Sequence, residues 1–237
     1  MNIANIDNIS VNGKTKIHKS GAASKIIFAA LLISGFLASS ELNELIFLLI
    51  IILTLAVISK IPFKLALNLL MYPLFFSAFF AFLLIRESSL AGIFIMLKAS
   101  GAAFTLIWLI LTTPYIDVFS FLNKIFPSVI VDILFFTYRS FFILLEKLEN
   151  IFKSIKLKGG YHLFDILSNL KNIAGIIGLL IIHSFEMSER MYKIYTLRGY
   201  DGKLPSSSLG FIEKKTDYIL ILLGIAALTG VIIPWNI

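Results

Sequence analysis

At 237 residues, 58% hydrophobic and only 15% charged, with 22 Phe, the chain is far more apolar than a soluble domain and reads as a membrane protein. Its lack of cysteine excludes disulfides and thiolate metal sites, and His18, His162 and His183 stand in separate segments without metal-ligand spacing, so no protein-borne metal or cofactor is expected. In such a chain a formal charge of +7 reports membrane topology before it reports nucleic acid, which is not an expected partner.

Five apolar runs come near the length that crosses a bilayer, at about 26–40, 43–59, 65–85, 92–113 and 217–234. The first follows a Lys-bearing segment, as a signal peptide would, but a second run follows almost at once and no clean A-x-A site separates them. Lys14, Lys16, Lys19 and Lys25 precede the first run, Glu41 and Glu44 follow it, and Lys60 and Lys64 follow the second. Arg86 lies after the third run and Lys98 within the fourth, where snorkelling or a broken helix outweighs a pathway role. From Lys124 to Lys215 the chain carries 13 of its 21 basic residues. The positive-inside rule therefore predicts a cytoplasmic N-terminus, a cytoplasm-facing region 114–216 and an external C-terminus with Trp235 at the interface. The organisation expected is an N-terminal part, 1–113, with four spans; the region 114–216; and a last span, 217–237.

Within 114–216, Pro114 and Pro127 bracket a short amphipathic helix whose apolar positions are 116, 118, 119, 121, 122, 125 and 126. A long helix is predicted from Pro127 to about Lys158. Phe141, Leu144, Leu145, Leu148, Ile151, Phe152 and Ile155 lie on one face of it. A second runs from about Leu163 to Leu197. Its apolar middle, IAGIIGLLII, is only about ten residues or roughly 15 Å long, too short to span, and reads as buried among other helices. Glu186 with Arg190 and Glu189 with Lys193 stand at i,i+4 spacing on this helix, and Met187 and Met191 share another face as packing or as an adaptable partner surface. Gly175 and Gly178 would allow another helix to approach closely. Asp132 and Arg139, two turns apart in an apolar setting, suggest a structural ion pair.

Both long helices finish in a basic residue directly before glycine: Leu157-Lys158-Gly159 and Leu197-Arg198-Gly199. A cation in the last turn is ordinary helix-dipole capping, worth roughly 0.3–1 kcal/mol. The alternative is a docking tip reaching an acidic pocket on another protein, a task suited to the planar, bidentate guanidinium of Arg198. No G-x-x-x-x-G-K-[ST] phosphate loop, G-x-S-x-G, H-E-x-x-H or close carboxylate pair occurs, so catalytic residues are not expected.

Four stretches carry a family resemblance: IHKSGAASKIIF (17–28), LTTPYIDVFSFLNKIFPS (111–128), LFFTYRSFFILLEKLEN (134–150) and SERMYKIYTLRGYDG (188–202). In this order they resemble the transmembrane (T) component of energy-coupling factor importers, of the CbiQ type associated with cobalt and nickel uptake. The resemblance implies an all-α polytopic protein with about five transmembrane helices plus long cytoplasm-facing coupling helices, in the cell membrane of a prokaryote. Its partners would be a pair of ATP-binding-cassette subunits and a small membrane subunit that binds substrate. It also implies that Arg198 is one ATPase-contacting tip and that Lys158 is the other, at a position where the family usually has Arg. Cargo and coupling parts are separate in such a system, so a T subunit for a vitamin importer is an alternative reading. A lipid-processing membrane enzyme, its basic face gathering anionic head groups, is another, although no reactive constellation supports it.

Overall fold

The computed structural model describes residues 9–13, 15–84, 89–160, 166–200 and 215–232. Arg86, His162, Trp235 and the first residues of the predicted 163–197 helix fall outside these. After a single helical turn at 9–12, the described residues form eight helices and no strand. They are α1 (Ala22–Ala38), α2 (Leu42–Ile58), α3 (Phe63–Leu84), α4 (Ser89–Thr112), α5 (Tyr115–Leu122), α6 (Ser128–Leu157), α7 (Ile166–Leu197) and α8 (Lys215–Ile232). The chain divides into two units, Met1–Phe121 with Ser207–Ile237, and Leu122–Ser206.

In the first unit α1 is the central helix. Phe28, Leu32 and Phe36 recur every four residues on it, all fully buried, against Leu45, Leu48 and Ile52 of α2 and Phe104, Trp108 and Leu111 of α4. Phe28 meets Trp108 edge-on at 5.6 Å, and the Trp108 indole donates to Ser59 Oγ at 3.1 Å, so the largest buried side chain is also satisfied. Where α4 passes α1 the chain has Gly101; a Cβ there would stand 2.3 Å from the Phe36 ring, so any larger residue has to displace that buried ring. At Gly175 and Gly178 a Cβ would meet nothing within 4 Å among the described residues of this chain. Lys98 turns its ammonium to the Ser39 carbonyl, 3.1 Å away at the end of α1.

Helix α8 runs parallel to α1. Asp217 in its first turn accepts hydrogen bonds from the Gly21 N–H (2.8 Å) and Ser24 Oγ (3.1 Å) at the N-terminus of α1, and Gly224 sits one level further on against Phe28 and Leu31. A carboxylate borrowed from a helix 193 residues away thus satisfies part of the open N-terminal turn of α1 and faces its dipole. Helix α2 is started by a capping box between Glu41 and Glu44.

Among the described residues five helices are long and apolar enough to cross a membrane: α3, α4, α6, α7 and α8. The runs predicted at 26–40 and 43–59 form apolar helices of 17 residues, near the lower limit for a span. Helix α7 contains an 18-residue apolar window with no more than two charged residues, longer than its ten-residue middle suggested, and Ile177, Leu179, Ile181 and Ile182 of that middle are exposed rather than buried among other helices. Large side chains such as Phe75, Phe76, Phe79 and Phe82 point outward from α3, as a lipid-facing helix requires.

Candidate functional site

The second unit is a hairpin of two long helices. The first part of α6 lies beside the end of α7, with the Phe136 and Tyr195 rings 4.7 Å apart, and its end lies beside the start of α7, where the Asn172 side-chain amide donates to the Gly160 carbonyl. The helices are therefore antiparallel, and their C-terminal tips, Lys158 and Arg198, fall at opposite ends. Counting from the level of Asn172 to Arg198 along α7, the tips stand roughly 40 Å apart.

The two tips are built alike. At the first, the Gly160 N–H bonds the Ile155 carbonyl (2.9 Å) and the Gly159 N–H the Lys156 carbonyl (3.3 Å). At the second, Tyr200 N–H bonds the Tyr195 carbonyl (2.9 Å) and Gly199 N–H the Thr196 carbonyl (3.0 Å). Each pair is a Schellman closure, and it needs a left-handed residue after the cap. Gly159 (φ 72°) and Gly199 (φ 78°) supply it. In both cases the basic residue occupies the cap itself and is exposed, and the leucine before it, Leu157 or Leu197, is 88% exposed. Ordinary dipole capping accounts for a cation here. It does not account for a large apolar side chain held out beside the cation at both ends.

Asp132 and Arg139 do not pair with each other. Seven residues put them about 10 Å apart along α6, too far for the short Asp side chain, and each instead meets a tyrosine of the second tip. Arg139 Nη1 donates to Tyr195 Oη (3.0 Å), and Tyr200 Oη donates to Asp132 Oδ2 (2.9 Å). The i,i+4 pairs of α7 are also open, and Glu186 instead meets His183, Nδ1 to Oε2 at 3.1 Å. Between the helices, near the first tip, an open groove of about 810 Å³ has an aliphatic floor including Ile151 and Ile176 and a rim bearing Lys147, Lys158 and Lys171.

Sequence reasoning missed a polar clip in the first unit. Lys25, 1% exposed, donates to the carbonyls of His18 (3.0 Å) and Thr112 (2.8 Å), tying the N-terminal segment and α1 to the Thr-Thr-Pro turn after α4. A lysine set directly before the apolar run that begins at Ile26 is the signal that could have found it. Among the described residues no three His, Cys, Asp or Glu come together as metal ligands would.

Comparison with known proteins bears on these features directly. An uncharacterized protein of Methanocaldococcus jannaschii is 24% identical over 222 residues, an alignment covering 84% of this chain and 81% of the relative. The family model described as "CbiQ: Cobalt transport protein" matches residues 13–208, a stretch that takes in the polar clip, helices α1 to α7 and both basic tips at the ends of α6 and α7. With most of its length matched, the chain belongs to the CbiQ cobalt transport protein family and is a multi-pass membrane component of a transport system.

Proposed function

We propose that the chain is the T subunit of an energy-coupling-factor importer, passing the motion of two ATP-binding-cassette subunits to a separate membrane subunit that binds Co2+ or Ni2+. The observation that carries this reading is the pair of matching tips, each with an exposed leucine, a basic cap and a left-handed glycine. Two equivalent projections about 40 Å apart suit two equivalent receptors better than one. The family's description as cobalt transport supports the cargo class.

The tips also constrain orientation. An antiparallel hairpin that crossed the bilayer would put Lys158 and Arg198 on opposite sides, whereas one lying along the membrane can present both to the cytoplasm. The basic residues around the first tip, Lys153, Lys156, Lys158 and Lys171, favour the second arrangement under the positive-inside rule. The N-terminus then lies in the cytoplasm and the C-terminus outside, consistent with α8 running parallel to α1.

The test is Arg198→Glu in the full-length protein, with co-purification of the ATPase subunits as readout. Reversal of one tip charge is expected to abolish their recovery while insertion into the membrane persists. Undiminished recovery contradicts the reading. Arg198→Lys retains the charge without the fork and is expected to fall between the two.

A further inference from the structure

We propose that Asp132, Phe136 and Arg139 of α6 are positioning residues that hold the Arg198 tip in its docking geometry, an inference that rests on the T-subunit reading. The three lie at i, i+4 and i+7, on one face of α6. Together they engage two side chains, Tyr195 and Tyr200. Asp132, 3% exposed, accepts from Tyr200 Oη, and Arg139 donates to Tyr195 Oη. Between them the Phe136 ring packs on Tyr195 (4.7 Å between centroids) and edge-on to Tyr200 (5.7 Å), and the two tyrosines meet at 6.1 Å.

What makes this a tip device is where the tyrosines sit. Tyr195 is three residues before Arg198 and Tyr200 two after it, and they are the two ends of the 2.9 Å hydrogen bond that closes the cap. The direction in which Arg198 leaves the helix is set by that bond. By gripping both rings, α6 fixes both ends of it. A shift of α6 along α7 must then move Arg198, and a push on Arg198 must be felt at the start of α6. A cap held only by its own backbone would fray instead. The aromatic–polar network thus links the second tip to the first long helix, the transmission a coupling subunit needs.

The chain has no cysteine, so Leu197→Cys gives a single nitroxide label on the tip of the full-length protein in lipid nanodiscs, and Leu157→Cys gives the matching control. Tyr200→Phe keeps the ring and removes the hydroxyl; Asp132→Ala removes the acceptor; Asp132→Asn keeps an acceptor oxygen. The mobile fraction of the Leu197 label is expected to rise about 2- to 10-fold in the first two variants, the range set by loss of one hydrogen bond, and to stay near the parent value in the third. The Leu157 label should not respond. The affinity of the unlabelled variants for the ATPase pair is expected to fall in the same order. An unchanged Leu197 spectrum in Tyr200→Phe overturns the proposal, as does equal mobilisation of both labels, which would mean general loosening. Tyr200→Phe decides alone if Asp132→Ala does not fold. The spectra need no ATPase, so a failure here is separable from a failure of the T-subunit reading, which would show as undiminished recovery in Arg198→Glu.

Discussion

Replacing Gly199 by alanine isolates what the left-handed cap contributes. A Cβ at this position would meet nothing within 4 Å, so the substitution adds no clash, and its whole effect comes from the backbone, held at φ 78°. An L-residue in this region costs about 1–2 kcal/mol relative to glycine. Alanine recovers about 0.4–1 kcal/mol of that by restricting the opened chain as well. The middle of these ranges is a net loss of about 0.8 kcal/mol, a cap that opens about 4-fold more often. Asparagine tolerates the left-handed region and should lose less than alanine. Hydrogen–deuterium exchange of the Gly199 and Tyr200 amides, the donors of the closure, reads the opening directly in the full-length protein. The expected order of exchange is Gly slowest, Asn next, Ala fastest, and the same order is expected at Gly159, which is also unobstructed at φ 72°. Exchange in Gly199→Ala no faster than in the parent would refute the account of the tip.

Two predictions concern the first unit. Gly101→Ala drives a Cβ into the fully buried Phe36 ring and is expected to lower stability by about 1–3 kcal/mol, whereas Gly175→Ala, with open space around it, should leave the melting temperature in detergent unchanged or raise it. His18 is held below its ordinary value of 6.5 first by burial and then by the charge of Lys25, with the Leu111 backbone acting in the opposite sense. The folded state therefore favours neutral His18, and the unfolded chain binds its proton first. That contribution is fully present above pH 6.5 and is lost as pH falls from there toward the lower folded value. Melting curves between pH 7.5 and about pH 5 should show this acid loss, and it should be smaller in His18→Gln.

The sequence disclosed those parts of the molecule that local rules determine. The long helices, their ends at Gly159 and Gly199 and the basic residues at the caps follow from hydrophobic periodicity and from glycine's access to positive φ, and both rules act within a few residues. What stayed hidden depends on partners far along the chain. Asp132 and Arg139 looked like a pair because they are close in sequence, yet each found a tyrosine more than 50 residues away. The close approach within the chain occurs at Gly101, which hydrophobic periodicity did not single out, because close helix approach is a property of two helices and cannot be read from one. Asp217 capping α1 from α8 is of the same kind. The length of apolar surface on α7 was underestimated by counting only its uninterrupted middle, when a membrane-facing helix tolerates uncharged polar residues such as Ser184.

The claim at the centre of this account is that the two helix ends are a matched pair of docking tips for two ATPase subunits. Its most direct test places a photo-crosslinking amino acid at Leu157 and, separately, at Leu197, both 88% exposed beside their basic caps, and identifies by mass spectrometry what is captured in native membranes. Capture of an ATP-binding-cassette subunit from both positions, lost from Leu197 when Arg198→Glu is added, is the predicted result. Labelling of lipid alone at both positions, or an ATPase captured from neither, would contradict it.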